Sequence, residues 1–159
     1  MADRIPYKYK SIVKKNVIAA AGVSPLGLFG SLDTVGVGAV WTTMFIALRE
    51  KSASTIGSDP KRICVGFVSG IARYYLACKA ATYAFFLVPG VGPIAAIAAG
   101  IGISGICNIY FTYTFAVCLI ELFEKPNYND KEIITFFIDH LKKLPTADEV
   151  QEIYRIYKS

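Results

Sequence analysis

The feature that most constrains this fold is an uncharged run from residue 80 to residue 120, which contains no Asp, Glu, Lys, Arg or His. As one helix the run would be about 60 Å long, whereas the hydrocarbon core of a bilayer is about 30 Å thick. Prolines and glycines at 89–93 interrupt it, and because proline lacks a backbone donor and glycine tolerates positive φ, a new helix can begin at Pro93. The run therefore predicts a helical hairpin whose tip contains Pro89, Gly90, Gly92 and Pro93.

Composition favours a membrane environment. The chain has 159 residues, enough for one core of ordinary size, and 54% of them are hydrophobic. Soluble domains are about 45–50% apolar, so the excess predicts contact with lipid or with a partner. The first residues lack the basic, apolar and small-residue succession of a signal peptide, and we expect no cleaved presequence.

The spacing of charges predicts a second hairpin and a common side for all basic clusters. Asp33 is the only charge between residues 16 and 48, and this stretch is broken near Pro25 and Gly27, the predicted tip of a first hairpin. If both tips enter a membrane from one side, both termini and the middle loop stay on the same, cytoplasm-like side, as the positive-inside rule requires. The first arm, about residues 12–23, is shorter than the about 20 residues of a spanning helix, which favours re-entrant insertion there.

The arms are predicted to be helices, with Val35 to Leu48 and Ile63 to Leu87 apolar on most faces. In the fourth arm a stripe of small and then polar residues recurs every four positions, and residues four apart share a helix face. Such stripes allow close backbone approach between membrane helices. This predicted helix-packing stripe comprises Gly92, Ala96, Gly100, Ser104, Asn108 and Thr112.

Three charged residues lie within the predicted arms: Asp33 in the first hairpin, and Arg73 and Lys79 in the second. Charges are costly in lipid unless they are paired. We therefore expect Asp33 to pair with Arg73 or Lys79 and so join the hairpins. The alternative is that all three lie near the headgroups, where the basic side chains snorkel.

The end of the chain, residues 125–159, has an amphipathic pattern in place of the uncharged runs before it. Capping signals begin at Asn129 and at Thr146, and each precedes an apolar stripe at helical spacing. The sequence thus predicts an all-α fold: a basic segment 1–15, a membrane-associated bundle of two helical hairpins at 16–124, and two short amphipathic helices at 125–159.

Motifs for chemistry are absent from the sequence. The four cysteines are far apart and make no CxxC pair, and His140, the only histidine, lies on the polar side of a tail helix. The GxGxxA pattern at residues 90–95 lacks the acidic residue that a dinucleotide site needs about 20 positions further on, and no P-loop occurs. We expect no enzyme activity, no cofactor and no metal.

Several of these segments together resemble a known family. The segments are Pro25 with Asp33 and the apolar run to Met44, residues 87–93, and Ala116 to Phe123. Over about residues 15–124 they are similar to the uncharacterised family called domain of unknown function 697. The resemblance implies a membrane-associated helical module without established enzymatic activity, often attached to or encoded near small GTPase domains.

Three functions remain open at this point. The first is a structural or scaffold element that assembles with itself or as an accessory subunit of a membrane complex. The second is a membrane-shaping or pore-forming module, suggested by the wedge-like hairpins and by the polar residues Ser104, Asn108, Thr112 and Thr114. Liposome leakage would reveal it. The third is a soluble regulator of a GTPase, which alkaline carbonate would extract. Membrane lipid is the expected partner; nucleic acid is not, because the net charge of +5 is dispersed.

Overall fold

The computed structural model describes residues 5–23, 32–53 and 93–124, together with the single helical positions 132 and 135. These residues form three α-helices and include no strand: α1 is Tyr7–Gly22, α2 is Leu32–Ser52 and α3 is Pro93–Glu124. The predicted all-α class is therefore confirmed for this part of the chain. The arm at 63–87 and the tip residues before Pro93 lie outside the described residues, as do the tail helices apart from positions 132 and 135, and the two-hairpin arrangement remains a prediction.

Helix α1 begins earlier than the arm expected near residue 12. Pro6 is extended at φ −54° and ψ 144°, and its carbonyl accepts a bond of 2.9 Å from the backbone N–H of Tyr9. The helix then continues across residues 15 and 16, where the sequence predicted a boundary between the basic segment and the membrane domain. The reason is that the lysines occupy one side of the helix while the other side is buried, through Tyr9, Val13, Asn16, Val17 and Ala20.

Helix α2 extends beyond the predicted range of 35–48 at both ends. At its C-terminus the Ser52 hydroxyl donates a hydrogen bond of 2.8 Å to the carbonyl of Arg49. Ala53 follows with φ 54°, the left-handed conformation that commonly ends a helix and that glycine usually supplies. Arg49 and Lys51 lie in the last turn, where positive charge interacts favourably with the helix dipole.

Helix α3 begins at Pro93, the start that the sequence predicted. Proline suits the first helical position because its missing N–H would have no partner there and its φ is already helical. The helix has 32 residues and is about 48 Å long. This uninterrupted helix is longer than the hydrocarbon core of a bilayer, which is about 30 Å thick.

Contacts between the helices define their directions. Glu124 near the end of α3 contacts the start of α1, and Asn108 contacts Ala20 near the end of α1, so α1 and α3 are antiparallel. Trp41 lies against Phe115, with ring centroids 5.2 Å apart, and Phe45 lies against Phe123 at 5.3 Å, so α2 runs parallel to α3.

It follows that the start of α1 and the ends of α2 and α3 lie together, and we call this the charged end. The opposite end, with the end of α1 and the start of α2, is the uncharged end. A Cβ on Gly36 would be 3.1 Å from Cγ1 of Val23, which shows how closely α1 and α2 approach there.

Candidate functional site

A layer of buried polar side chains joins the three helices. Asn108 and Thr112 of α3 are both fully buried. The Asn108 side-chain amide donates a hydrogen bond of 3.1 Å to the carbonyl of Ala20 in α1. The indole N–H of Trp41 in α2 donates a bond of 2.8 Å to Oγ1 of Thr112. Because buried polar groups are costly without partners, these bonds fix the register of α3 against both neighbours.

Asn108 and Thr112 are the last two members of the predicted helix-packing stripe. Asn108 faces α1 and Thr112 faces α2. Ala96, Gly100 and Ser104 belong to α3, but their side chains are not among those described, and Gly92 lies outside the described residues. The stripe as a whole therefore remains a prediction.

The other predicted site residues fall mostly outside the described part of the chain. Pro93 is the first residue of α3, whereas the remaining tip residues are outside it: Pro25, Gly27, Pro89 and Gly90. Asp33 is the second residue of α2 and its side chain is not described. The proposed partners Arg73 and Lys79 also lie outside the described residues. The ion pair between the hairpins stays a prediction.

A small polar cluster at the charged end was not predicted. Oε1 of Glu124 lies 2.7 Å from Nζ of Lys8 and accepts a bond of 2.6 Å from the hydroxyl of Tyr9. Nζ of Lys8 is also 4.7 Å from the centre of the Tyr9 ring. The hydrogen bond to Glu124 raises the pKa of Lys8, and burial followed by the same carboxylate raises the pKa of Tyr9. The cluster ties the start of α1 to the end of α3.

Charge is segregated along the bundle axis. With one exception, every charged residue of the three helices lies towards the charged end: Lys8, Lys10, Lys14, Lys15, Arg49, Glu50, Lys51, Glu121 and Glu124. The exception is Asp33, the second residue of α2. Antiparallel packing of α1 on α2 and α3 brings these separate stretches of sequence to one end.

Apart from Asp33, whose side chain is not described, the described residues at the uncharged end have no charge, either on the surface or in the core. Its exposed side chains and glycines, among those described, form what we call the uncharged surface: Ile18, Ala19, Gly22, Val35, Ala39, Thr43, Gly102 and Ile106. Val35 is 68% exposed and Ile18 is 51% exposed. Scattered apolar residues are common on soluble proteins, but a contiguous apolar patch marks a lipid or protein contact.

Two threonines of α2 satisfy their hydroxyls within the helix. Thr42 donates a hydrogen bond of 2.9 Å to the carbonyl of Gly38, and Thr43 donates one of 3.0 Å to the carbonyl of Ala39. This bond to the carbonyl four residues earlier removes the need for water at the hydroxyl. The outer side of α2 can therefore face an apolar medium although it contains threonine.

Helix α3 is enclosed at its C-terminal half. Almost every side chain from Asn108 to Phe123 is buried, on all faces of the helix. Among the described residues, its segment Gly105–Glu124 is the one stretch long and apolar enough to cross a membrane. By itself that is weak evidence, because 72% of the tested window is buried and the core helix of a soluble protein meets the same criterion.

No metal-binding group of three or more His, Cys, Asp or Glu occurs in the described part of the chain. Comparisons of the chain with models of protein families, with curated proteins and with solved structures found no match. The resemblance to domain of unknown function 697 thus remains a prediction.

Sequence reasoning missed the exposed basic side of α1. Lys10 and Lys14 are four residues apart, and Tyr9, Val13 and Val17 recur at the same spacing on the buried side. That periodicity was sufficient to predict a helix from residue 7. As a cluster of charge alone, the lysines instead predict a basic segment that precedes the helix.

Proposed function

We propose that the chain is a non-enzymatic integral membrane protein whose helical bundle is a structural or scaffold element, either as a homo-oligomer or as an accessory subunit of a membrane complex. The observation that carries this proposal is the uncharged surface at one end of the bundle. Exposed apolar side chains are unfavourable in water, whereas lipid solvates them.

Energetics favour insertion of the uncharged end. A charged side chain at the centre of a membrane helix costs about 2.5–3.5 kcal/mol on insertion scales, so lipid-facing surfaces exclude charge. The exposed stripe Val35, Ala39, Thr43 and Ile46 follows one side of α2 and contains no charge. A Val or Ile side chain contributes about 1.5–3 kcal/mol when it moves completely out of water.

The lengths of the helices favour partial insertion of α1 and α2 beside a longer α3. The uncharged part of α1, residues 16–22, is about 10 Å long, and that of α2, residues 34–48, is about 22 Å long. Both are shorter than the about 30 Å of the hydrocarbon core, whereas α3 exceeds it. We therefore propose that α1 and α2 insert partway beside α3, with the charged end and both termini on the cytoplasm-like side.

Assembly with other chains is the expected activity of this bundle. Two of the four polar residues that suggest a pore, Asn108 and Thr112, form hydrogen bonds to Ala20 and Trp41 inside the bundle. These bonds make them packing groups and give no support to a conducting path. A GTPase partner follows from the resemblance alone, and no contact in the described residues favours it.

Alkaline carbonate extraction of membranes tests the proposal. We expect the full chain to remain in the membrane pellet, because hydrophobic insertion resists a treatment that releases surface-bound proteins. Release into the supernatant would overturn the membrane proposal and favour a soluble bundle.

A matched pair of variants separates insertion from aggregation. Val35→Lys with Ala39→Lys places charge on the uncharged surface and should shift the chain towards the supernatant. Ser11→Lys with Ala53→Lys adds the same charge at exposed positions of the charged end and should leave the chain in the pellet. Equal behaviour of the two variants would contradict insertion through the uncharged end.

A further inference from the structure

We infer that the exposed side of α1 that contains Lys10, Lys14 and Lys15 binds the phosphate headgroups of anionic phospholipids. We call these three residues the basic face. This inference rests on the proposed function, since it requires the bundle to be inserted in a bilayer. It specifies the lipid class that the inserted protein prefers.

The charge of the basic face has no partner within the described part of the chain. Lys8 is paired with Glu124, whereas Lys10, Lys14 and Lys15 form no ion pair with another described residue. Helix α1 contains no acidic residue. Lys10 and Lys14 are four residues apart, a spacing at which like charges destabilise a helix. An external anion would relieve this repulsion.

The basic face lies at the boundary between the two ends of the bundle. Lys14 and Ile18 are neighbours on the exposed side of α1, and Ile18 is the first exposed apolar residue beyond the lysines. A lysine one helical turn from the first lipid-facing residue is at the level of the headgroups. The boundary in α1 therefore places Lys14 and Lys15 next to phosphate.

The length of the basic face matches the headgroup layer. Lys10 and Lys15 are about 7 Å apart along the helix axis. A headgroup layer is about 5–8 Å thick on each side of the hydrocarbon core. All three lysines can therefore reach phosphate in the same leaflet.

The direction of α1 also favours headgroup contact. In an α-helix the Cα–Cβ bonds tilt towards the N-terminus, and in α1 that terminus lies at the charged end. The lysine stems therefore lean away from the uncharged end. Their ammonium groups can reach headgroups while the methylene stems lie against the acyl chains, as snorkelling requires.

The alternative explanation is a hydrated face that only adds solubility. A hydrated face would not distinguish between lipids, whereas a face that binds phosphate headgroups should prefer anionic lipids. Each lysine close to an anionic surface contributes about a fivefold preference, so the three together contribute up to about a hundredfold. Salt should weaken this preference, because exposed charges are screened.

Native mass spectrometry of the detergent-purified full chain tests the inference. Phosphatidylglycerol and phosphatidylcholine are offered in equal amounts, and the fraction of protein that retains each lipid is measured. The unsubstituted chain should retain phosphatidylglycerol at least about tenfold more than phosphatidylcholine. In the variant K10Q/K14Q/K15Q we expect this preference to fall to near unity.

Two control variants test whether the lipid preference comes from the positive charge of the basic face. K142Q/K143Q/K158Q removes the same charge from the tail and should retain the preference, and K10R/K14R/K15R should retain it as well. Circular dichroism shows whether the glutamine variant keeps its helical content. Equal retention of both lipids by the unsubstituted chain, or equal loss in the two glutamine variants, overturns the inference.

Failure of this inference is distinguishable from failure of the proposed function. A chain that resists carbonate but shows no lipid preference contradicts only the basic face. A chain that carbonate extracts contradicts membrane insertion itself.

Discussion

At the scale of single residues, the buried hydrogen bond between Trp41 and Thr112 is the contact with the clearest consequence. Both residues are buried, and their bond joins α2 to the middle of α3. A net intramolecular hydrogen bond contributes only about 1 kcal/mol, but removing one partner of a buried pair costs about 1–3 kcal/mol. Removing one partner of the Trp41–Thr112 hydrogen bond should therefore cost more stability than the bond contributes on formation.

Thr112→Val should destabilise the bundle by about 1–3 kcal/mol, because valine keeps the shape of threonine but cannot accept the indole N–H of Trp41. Thr114→Val is the matched control: Thr114 is half-buried, and no side-chain hydrogen bond from it is described. The control should change stability by less than about 0.5 kcal/mol. Unfolding of the detergent-solubilised proteins measures the stability of each variant. Equal stabilities of Thr112→Val and Thr114→Val would contradict the role of this bond.

The sequence predicted part of this contact. Asn108 and Thr112 were identified as the polar continuation of a packing stripe because they follow Ser104 at intervals of four residues. Their partners, Ala20 and Trp41, could not be predicted. Pairing across 71 to 88 residues depends on the relative register of three helices, which no local pattern encodes.

At the scale of elements, the sequence predicted the end of α1 and the start of α3 but not the start of α1 or either end of α2. Breakers near Pro25 and at Pro93 predicted where α1 ends and where α3 begins, because proline acts locally on its own φ and on the preceding residue. The start of α1 and the extra turns of α2 were missed, since they depend on which side of each helix is covered.

The packing of α1 on α2 gives a second prediction, which concerns two glycines in α2. A Cβ at Gly38 meets no atom within 4 Å, whereas a Cβ at Gly36 would be 3.1 Å from Val23. Gly38→Ala should stabilise the helix by about 0.8–1 kcal/mol, the difference in helix propensity. Gly36→Ala should lose that gain, because Val23 has to move.

Chemical unfolding in micelles compares the two alanine variants directly. Gly38→Ala should have the higher midpoint and Gly36→Ala should be equal to or below the unsubstituted chain. The reverse order would mean that α1 and α2 do not approach at Val23. Helical content by circular dichroism controls for a change in fold.

At the scale of the whole molecule, the segregation of charge connects the fold to its proposed environment. Lysines at the start of α1, basic residues at the end of α2 and carboxylates at the end of α3 come from distant parts of the chain. Antiparallel packing brings them to one end and leaves Asp33 as the one charged residue of the three helices at the opposite end. The sequence predicted that the basic clusters share one side, but the uncharged surface emerged only with side-chain exposure.

Cysteine accessibility tests the central claim that the uncharged end lies in lipid. Single cysteines replace Ser11, at the charged end, and Ala39, on the uncharged surface; both side chains are exposed in the bundle. Permeabilised membranes that contain each variant are treated with a water-soluble maleimide, and the labelling of the unsubstituted chain is subtracted. Insertion of the uncharged end in lipid predicts rapid labelling of Ser11→Cys and labelling of Ala39→Cys only after denaturation in detergent. Equal labelling at both positions in intact membranes would contradict it.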